Sequence, residues 1–327
     1  MRILVTGGAG YVGSHTVRYL TRQGHQVWVY DNLSRGHRQA VGQVPLIVAD
    51  LADATTLHRV LAEHRIEAVM HFAALAYVGE SVQDPQRYYE NNLACSLTLL
   101  AAMRTAGISK IVFSSTCSTY GIPQHVPISE DEPQKPINPY GRAKLAVEWA
   151  LQDYCRAYGL AAAALRYFNA AGASPEGDLG EDHDPETHLI PLVLQTALGL
   201  RSHVDIFGTD YPTPDGTCIR DYVHVDDLAD AHVRALEHVR PGQFVAYNLG
   251  VGHGYSVREV IRVCEEVTGR AIPTQETSRR PGDPPILVAA SAKAQQDLAW
   301  KPAYRSLRSI VETAWRWHQS HPRGYAS

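Results

Sequence analysis

Thr6-Gly7-Gly8-Ala9-Gly10-Tyr11-Val12-Gly13-Ser14-His15 is the stretch on which the fold turns. An apolar run, Arg2–Thr6, leads into it, and a segment with helical spacing follows. Gly7, Gly10 and Gly13 stand in a G-x-x-G-x-x-G pattern. Missing side chains let a backbone turn tightly and come close to a pyrophosphate, which then sits on the N-terminus of the helix. Three glycines alone could make no more than a turn. Here a strand pattern precedes them, a helix pattern follows, and a second apolar run ends in Asp31. A carboxylate at that point accepts hydrogen bonds from an adenosine ribose and repels a 2′-phosphate, so NAD is expected rather than NADP. Contacts to it are expected at Gly7, Gly10, Tyr11, Val12, Gly13, Asp31 and Asn32. Asp50 and Leu51, after a third run, are placed either for adenine contacts or for a plain strand-end turn.

Outward from this loop, short apolar runs at 2–6, 27–30, 45–48, 68–71, 111–114 and 162–167 alternate with helical patterns at 12–23, 55–63, 88–105 and 140–158. Nearly continuous hydrophobicity marks strands buried on both faces, and strand–helix alternation marks a parallel sheet. The expected class is α/β: a Rossmann-like doubly wound parallel sheet with a smaller C-terminal α/β substrate lobe. Beyond Asn169 the texture changes, with turn-rich segments at 173–186, 208–216 and 279–285. The expected division is a nucleotide-binding domain over 1–172, with 218–240 packing back onto it, and a lobe from 173–217 and 241–327.

Composition narrows the function. The chain has 327 residues, 45% of them hydrophobic and 20% charged, the balance of an ordinary soluble globular protein. A net charge of −4 gives no basic footprint for nucleic acid or anionic lipid, and no apolar run is long enough to span a membrane. Residues 1–6 are already a strand pattern, without the regions of a signal peptide. The five cysteines are scattered and odd in number. They suit reduced thiols in a cytoplasmic protein, and no metal site is expected from them.

Chemistry concentrates in Asn138-Pro139-Tyr140-Gly141-Arg142-Ala143-Lys144. Asn138 is a good N-cap and Pro139 a good first helical residue. Tyr140 and Lys144 then share one face of the first turns. A phenol with an ordinary pKa of about 10 is a poor base at neutral pH. A lysine cation, a helix N-terminus and a nicotinamide cation all favour its phenolate. Upstream, Ser114-Ser115-Thr116-Cys117-Ser118 runs off a strand end, where ligands bind in such sheets. Thr116 is the first choice to hold a reacting hydroxyl, with Ser114 and Ser115 close rivals. Cys117 has no accompanying histidine motif and is read as a packing residue.

These segments resemble a known family. To the glycine run, Asp31-Asn32-Leu33-Ser34 and Tyr140-x-x-x-Lys144 are added His71-Phe72-Ala73-Ala74, Leu165-Arg166-Tyr167-Phe168-Asn169, Ile206-Phe207-Gly208-Thr209-Asp210-Tyr211, Arg220-Asp221-Tyr222-Val223-His224 and Arg279-Arg280-Pro281-Gly282-Asp283. Together they are similar to the UDP-galactose 4-epimerases of the extended short-chain dehydrogenase/reductase type, over essentially the whole chain. The resemblance implies reversible inversion at C4 of the hexose in UDP-galactose or UDP-glucose, through a transient 4-keto sugar and bound NAD. It implies Tyr140 as base, Lys144 as its pKa partner and a ribose ligand, and Thr116 on the substrate hydroxyl. It implies further cofactor contacts at Phe72, Ala73, Ala74, Asn91, Ser114 and Tyr167. For the UDP-hexose it implies Asn169, His188, Leu189, Phe207, Arg220, Arg280 and Asp283. Two arginines suit a diphosphate, and an apolar face suits uracil. Leu287 falls where a larger residue would restrict the sugar pocket, so N-acetylhexoses are expected as additional substrates.

The resemblance also implies a homodimer, paired through apolar faces near 93–106 and 145–158. Ala76 and His188 depart from the family, which in some members carries lysine and asparagine there. A 4,6-dehydratase would carry an acid pair after Thr116, and this chain has Cys117 and Ser118 instead.

Overall fold

Thirteen strands form among the residues that the computed structural model describes, 1–280 and 283–325. They are β1 Arg2–Thr6, β2 Gln26–Asp31, β3 Leu46–Val48, β4 Ala68–His71, β5 Lys110–Thr116, β6 Ala161–Tyr167, β7 Asn169–Ala171, β8 Val204–Phe207, β9 Ile219–His224, β10 Phe244–Leu249, β11 Gly254–Ser256, β12 Thr274–Thr277 and β13 Ile286–Leu287. Seven make one parallel sheet in the order β10-β6-β5-β4-β1-β2-β3. β9 centres a small mixed sheet with β7, β11 and β13, and β8 pairs β12.

Period-two alternation divides the large sheet's side chains between two cores. Ile3, Val5, Val29, Met70 and Leu165 pack on one face against Val17 and Leu20 of helix Tyr11–Arg22 and Leu228 and Ala231 of helix Val225–His238. Leu4, Val69, Ile111 and Phe113 pack on the other against Leu57 and Leu61 of helix Ala54–Glu63, Leu99 and Met103 of helix Cys95–Thr105, and Val147 and Leu151 of helix Pro139–Tyr158. Both faces are therefore covered, as a doubly wound sheet requires. A third core belongs to the lobe, where helices Leu189–Ala197, Val257–Thr268 and Leu307–Ser320 enclose Val193, Val260, Val311 and Trp315. No helix among the described residues is long and apolar enough to cross a membrane.

The division of the chain differs from the sequence expectation in two places. β10 lies in the range given to the lobe but forms an edge of the large sheet, because its Phe-Val-Ala-Tyr-Asn-Leu run pairs in parallel with β6 and is buried. Of 218–240, the helix packs back along with Val223, tied to the first helix by His15 Nδ1 to Asp226 at 2.6 Å and the Tyr19 hydroxyl to Asp230 at 2.6 Å. β9 stays with the small sheet. The helix expected over 88–105 is not uniform either. Tyr89–Ala94 is wound as a π-helix, and the Asn92 side chain bonds both the N–H and the carbonyl of Leu75 at 2.8 Å. Such wide turns concentrate at functional sites.

Beneath the sheet's edge runs a buried polar chain. Glu148 accepts from the Ser115 hydroxyl at 2.5 Å and pairs with the Arg166 guanidinium, which donates to the Tyr120 hydroxyl at 2.8 Å. Tyr120 in turn donates to Asn248 at 2.7 Å, so one network joins β5, β6, β10 and helix Pro139–Tyr158. Removing one partner of such a pair strands the other charge in the core. Glu148→Ala should therefore lower unfolding free energy by about 3–5 kcal/mol, read as a drop in the urea midpoint. An unchanged midpoint would show that Arg166 finds another partner.

Candidate active site

All seven strands of the large sheet end on one edge, and the expected residues ride on those ends. Thr6, Asp31, His71, Thr116 and Tyr167 are the last residues of β1, β2, β4, β5 and β6. The edge forms the floor of a cavity of about 1070 Å³ that the lobe roofs. Its wall includes Gly7, Gly10, Tyr11, Val12, Gly13, Asp31, Asn32, Asp50, Leu51, Phe72, Ala73, Ala74, Asn91, Ser114, Thr116, Tyr140 and Tyr167. It also includes Asn169, His188, Leu189, Phe207, Arg220, Arg280, Asp283 and Leu287. Lys144 alone of the expected site residues does not reach the wall; it lies one layer behind.

The glycine loop is fitted by close approach. A Cβ on Gly13 would stand 2.2 Å from the Gly7 carbonyl oxygen, so the helix could not start where it does with any side chain there. Its first N–H groups, lacking partners within the helix, are set at the cavity wall for an anion. Asp31 accepts from Ala9 N at 3.0 Å and Leu33 N at 2.8 Å. Burial pushes its carboxyl above the usual range, and those two donors pull it back. Asp50 accepts from the Asn32 amide at 2.7 Å and from Ala52 N at 2.8 Å, joining the ends of β2 and β3. Helix-end donors, a ribose-facing acid and a long cavity are the chemistry a dinucleotide needs, and the residues present fit NAD.

Asn138 caps its helix by accepting from Gly141 N at 2.8 Å. A Cβ on Gly141 would lie 2.5 Å from the Ser118 carbonyl oxygen, so this glycine lets the helix settle on the turn after β5. That settling brings Tyr140 to Thr116. The Tyr140 ring packs edge-on against Tyr88 at 6.4 Å, and the Tyr88 hydroxyl is fixed by Glu80 at 2.8 Å. Burial holds the Tyr140 phenol well above its ordinary pKa, with the Tyr167 hydroxyl adding to the rise and a hydrogen bond from Thr116 opposing it. The Lys144 ammonium donates to the Ser114 carbonyl at 2.8 Å and sits 6.0 Å from the Tyr140 ring centre. Burial lowers its pKa to about 7, against the pull of Glu148. Ser114 bonds the Tyr167 hydroxyl at 2.8 Å and lines the cavity together with Thr116, whereas Ser115 turns inward to Glu148 at 2.5 Å. Cys117 packs with Phe168 and Leu287, and burial pushes its thiol up to about 12, far from a nucleophile's range. All five cysteines are free.

In the lobe, Arg220 pairs with Asp283 at 2.5 Å, and Arg280 lies 4.0 Å over the Phe207 ring. Leu287 faces Arg220 in the β13–β9 register. Pro281 and Gly282 of the same segment lie outside the described residues. The lobe loop also gathers Glu181, His183, Glu186 and His188, a group that reading His188 singly missed. Burial opposes charge throughout it, yet ion pairing wins: His183 is raised to about 9 and His188 to about 10, and both carboxyls are held low.

The model of the NAD dependent epimerase/dehydratase family matches residues 3–250. The chain belongs to this family. Over 328 aligned residues it is 55% identical to a UDP-glucose 4-epimerase of Halalkalibacterium halodurans, covering 100% of this chain and 98% of that one. A UDP-glucose 4-epimerase of Brucella ovis, solved in complex with NAD, superposes with a TM-score of 0.92 at 49% identity, over 96% of this chain and 97% of that one. Another, of Bifidobacterium longum, in complex with NAD+ and UDP, gives 0.96 at 39% identity, over 99% and 100%.

Lys144 has a cost that can be measured. Its folded pKa lies near 7 against an ordinary 10.5. Below pH 7 both folded and unfolded chains carry the proton, and folding must bury a cation. Between about 7 and 10.5 only the unfolded chain keeps it, so stability rises with pH. Lys144→Met should therefore raise the thermal midpoint most at pH 6, with the margin shrinking by pH 9. A margin independent of pH would mean that Lys144 does not titrate in this range.

Proposed function

We infer that the protein interconverts UDP-galactose and UDP-glucose by inverting C4 of the hexose, with NAD as its bound cofactor. The observation that carries this reading is that one cavity holds both the Tyr140–Thr116 pair, backed by Lys144, and the Arg220, Arg280 and Phe207 group. The first set handles a hydroxyl proton. The second suits a uridine diphosphate, with guanidinium for phosphate, rings and aliphatic walls for uracil, and Asn169 and Asp283 for hydroxyl and imide groups.

NAD supplies the acceptor and donor of hydride at the sugar carbon. The chain's own part is to hold and move a proton. Thr116 holds the 4-hydroxyl oxygen and Tyr140 withdraws its proton as C4 becomes a ketone. Lys144, with charge beside the phenol, lowers the energy of the phenolate that burial otherwise disfavours. The 4-keto sugar stays tethered through its UDP half while the hexose turns, and Tyr140 then returns the proton to the opposite configuration. Cys117 and Ser118 stand where a dehydratase would carry its acid pair, which argues against elimination. Exposed Leu97, Trp149 and Tyr158 on helices Cys95–Thr105 and Pro139–Tyr158 support a homodimer through those helices, and the free thiols suit the cytoplasm.

Incubation with UDP-galactose and no added cofactor should yield UDP-glucose by proton NMR. Tyr140→Phe keeps the ring and removes the acid–base oxygen, so turnover should fall about 10²–10⁴-fold while UDP binding persists. Near-normal turnover in that variant would remove Tyr140 from the role.

Substrate breadth rests on Leu287. It is 9% exposed, lines the cavity and packs beside Cys117 and Phe168. Leucine there leaves room that a tyrosine would fill, so UDP-GalNAc should be epimerised measurably. Leu287→Tyr should reduce the ratio of kcat/KM for UDP-GalNAc to that for UDP-galactose by at least about tenfold, the scale of pocket-size discrimination. A ratio unmoved by tyrosine would show that the gate lies elsewhere.

A further inference from the structure

Glu181, His183, Glu186 and His188 lie within eight consecutive residues, and the ligating atoms of all four lie within 4.8 Å of one another. His188 Nδ1 is 2.9 Å from a Glu181 oxygen and 2.9 Å from a Glu186 oxygen. His183 Nδ1 is 3.3 and 3.5 Å from the same two carboxylates. Zinc bonds of about 2.0–2.2 Å to nitrogen and oxygen place the corners of a tetrahedron about 3.3–3.6 Å apart. The two His183 spacings match those edges, and the two His188 spacings, at hydrogen-bond length, would open by about 0.5 Å around an ion.

Two buried polar atoms at the group lack hydrogen-bond partners. His183 Nδ1 makes no close hydrogen bond, although carboxylate oxygens stand 3.3 and 3.5 Å from it. The Tyr77 hydroxyl is likewise buried and unpartnered, and its ring lies 6.0 Å from His183 and 6.3 Å from His188. The Glu181 and Glu186 side chains are only 5% and 6% exposed. An ion would displace the protons that the two imidazoles otherwise hold, and two neutral imidazoles with two carboxylates would then neutralise a divalent cation. Two nitrogen donors disfavour magnesium and calcium, which take oxygen ligands, and a four-coordinate N2O2 set favours zinc.

The loop is also held in place from outside. Trp317 Nε1 donates to the Glu181 carbonyl at 3.1 Å, His37 meets the Asp182 carbonyl at 3.1 Å, and Tyr325 N donates to the Asp182 carboxylate at 2.8 Å. A pinned backbone keeps the ligands' relative positions without help from an ion, which is the preorganisation a tight site needs.

We propose that Glu181, His183, Glu186 and His188 form a tetrahedral zinc site that clamps the loop walling the cavity. The ion sits in this wall, where three of its four ligands also face the cavity. It holds the loop in place and takes no part in moving the proton or hydride.

The test uses the full-length protein, stripped with a chelator and titrated with zinc, then with cobalt(II) as a spectroscopic probe. One zinc should be retained per chain through dialysis. Cobalt should show the intense visible bands of four-coordinate geometry, without thiolate charge transfer. Zinc should raise the thermal midpoint of the parent. His183→Ala and the near-isosteric Glu186→Gln should each weaken zinc affinity by more than about tenfold, since loss of even an outer-shell partner commonly costs that much. The cobalt bands should fade with them. No retained zinc, six-coordinate cobalt, or equal affinity in parent and both variants would overturn the proposal.

Discussion

Parallel pairing sends every strand of the large sheet out through the same edge, and the site depends on that constraint. Asp31, Thr116 and Tyr167 are distant in sequence and line one cavity only because β2, β5 and β6 end on the same edge, β5 beside β6 and β2 three strands further along. Backbone hydrogen bonding aligns the strands, and side chains buried on both faces leave little freedom of register. The lobe then needs only to cover one edge. The glycine loop, the Asn138 cap and the close contact of Gly141 with Ser118 are local solutions that bring helix ends onto that edge.

The same burial sets the chemistry and its tension. Enclosure makes Tyr140 a weaker acid and Lys144 a weaker base than either is in water. Each shift opposes the state that proton transfer needs. Lys144 stands behind the phenol, 6.0 Å from the ring centre, with its ammonium on the Ser114 carbonyl. Such sites are less stable than an apolar core of the same shape, and they persist because the surrounding sheet is overdetermined. The Glu148–Arg166 pair shows the converse case. There opposite charges meet at bonding distance, and Arg166 keeps its proton more firmly than usual.

Much of this could be read from the chain. β1, β2, β4, β5 and β6 showed as apolar runs because strands buried on both faces tolerate little else, and Gly13, Asp31, Tyr140 and Lys144 stood at spacings with a mechanical meaning. What could not be read was pairing at long range. Nothing near Tyr120 in sequence points to Asn248, and Phe244–Leu249 looks like any short buried strand until its neighbour is known. The π-wound turn at Tyr89–Ala94 was hidden because helical periodicity does not distinguish one wide turn from an ordinary one. The loop at 181–188 was read by composition as acidic and turn-rich. Its alternating acids and histidines signal a cluster only when the backbone curls their side chains inward.

Delivery of the large sheet's last strand from beyond the lobe makes the architecture indivisible. After β6 the chain leaves to build β7 through β9, and returns with β10 to cover the edge of β6. A nascent chain leaving the ribosome therefore cannot finish its nucleotide-binding half before a good part of the other half has emerged. Until residue 249 is available, β6 is an open flank, the kind of surface that chaperones shield. Neither half can be excised, exchanged or inherited alone, so gene fusions and recombination events that respect this protein must move it whole.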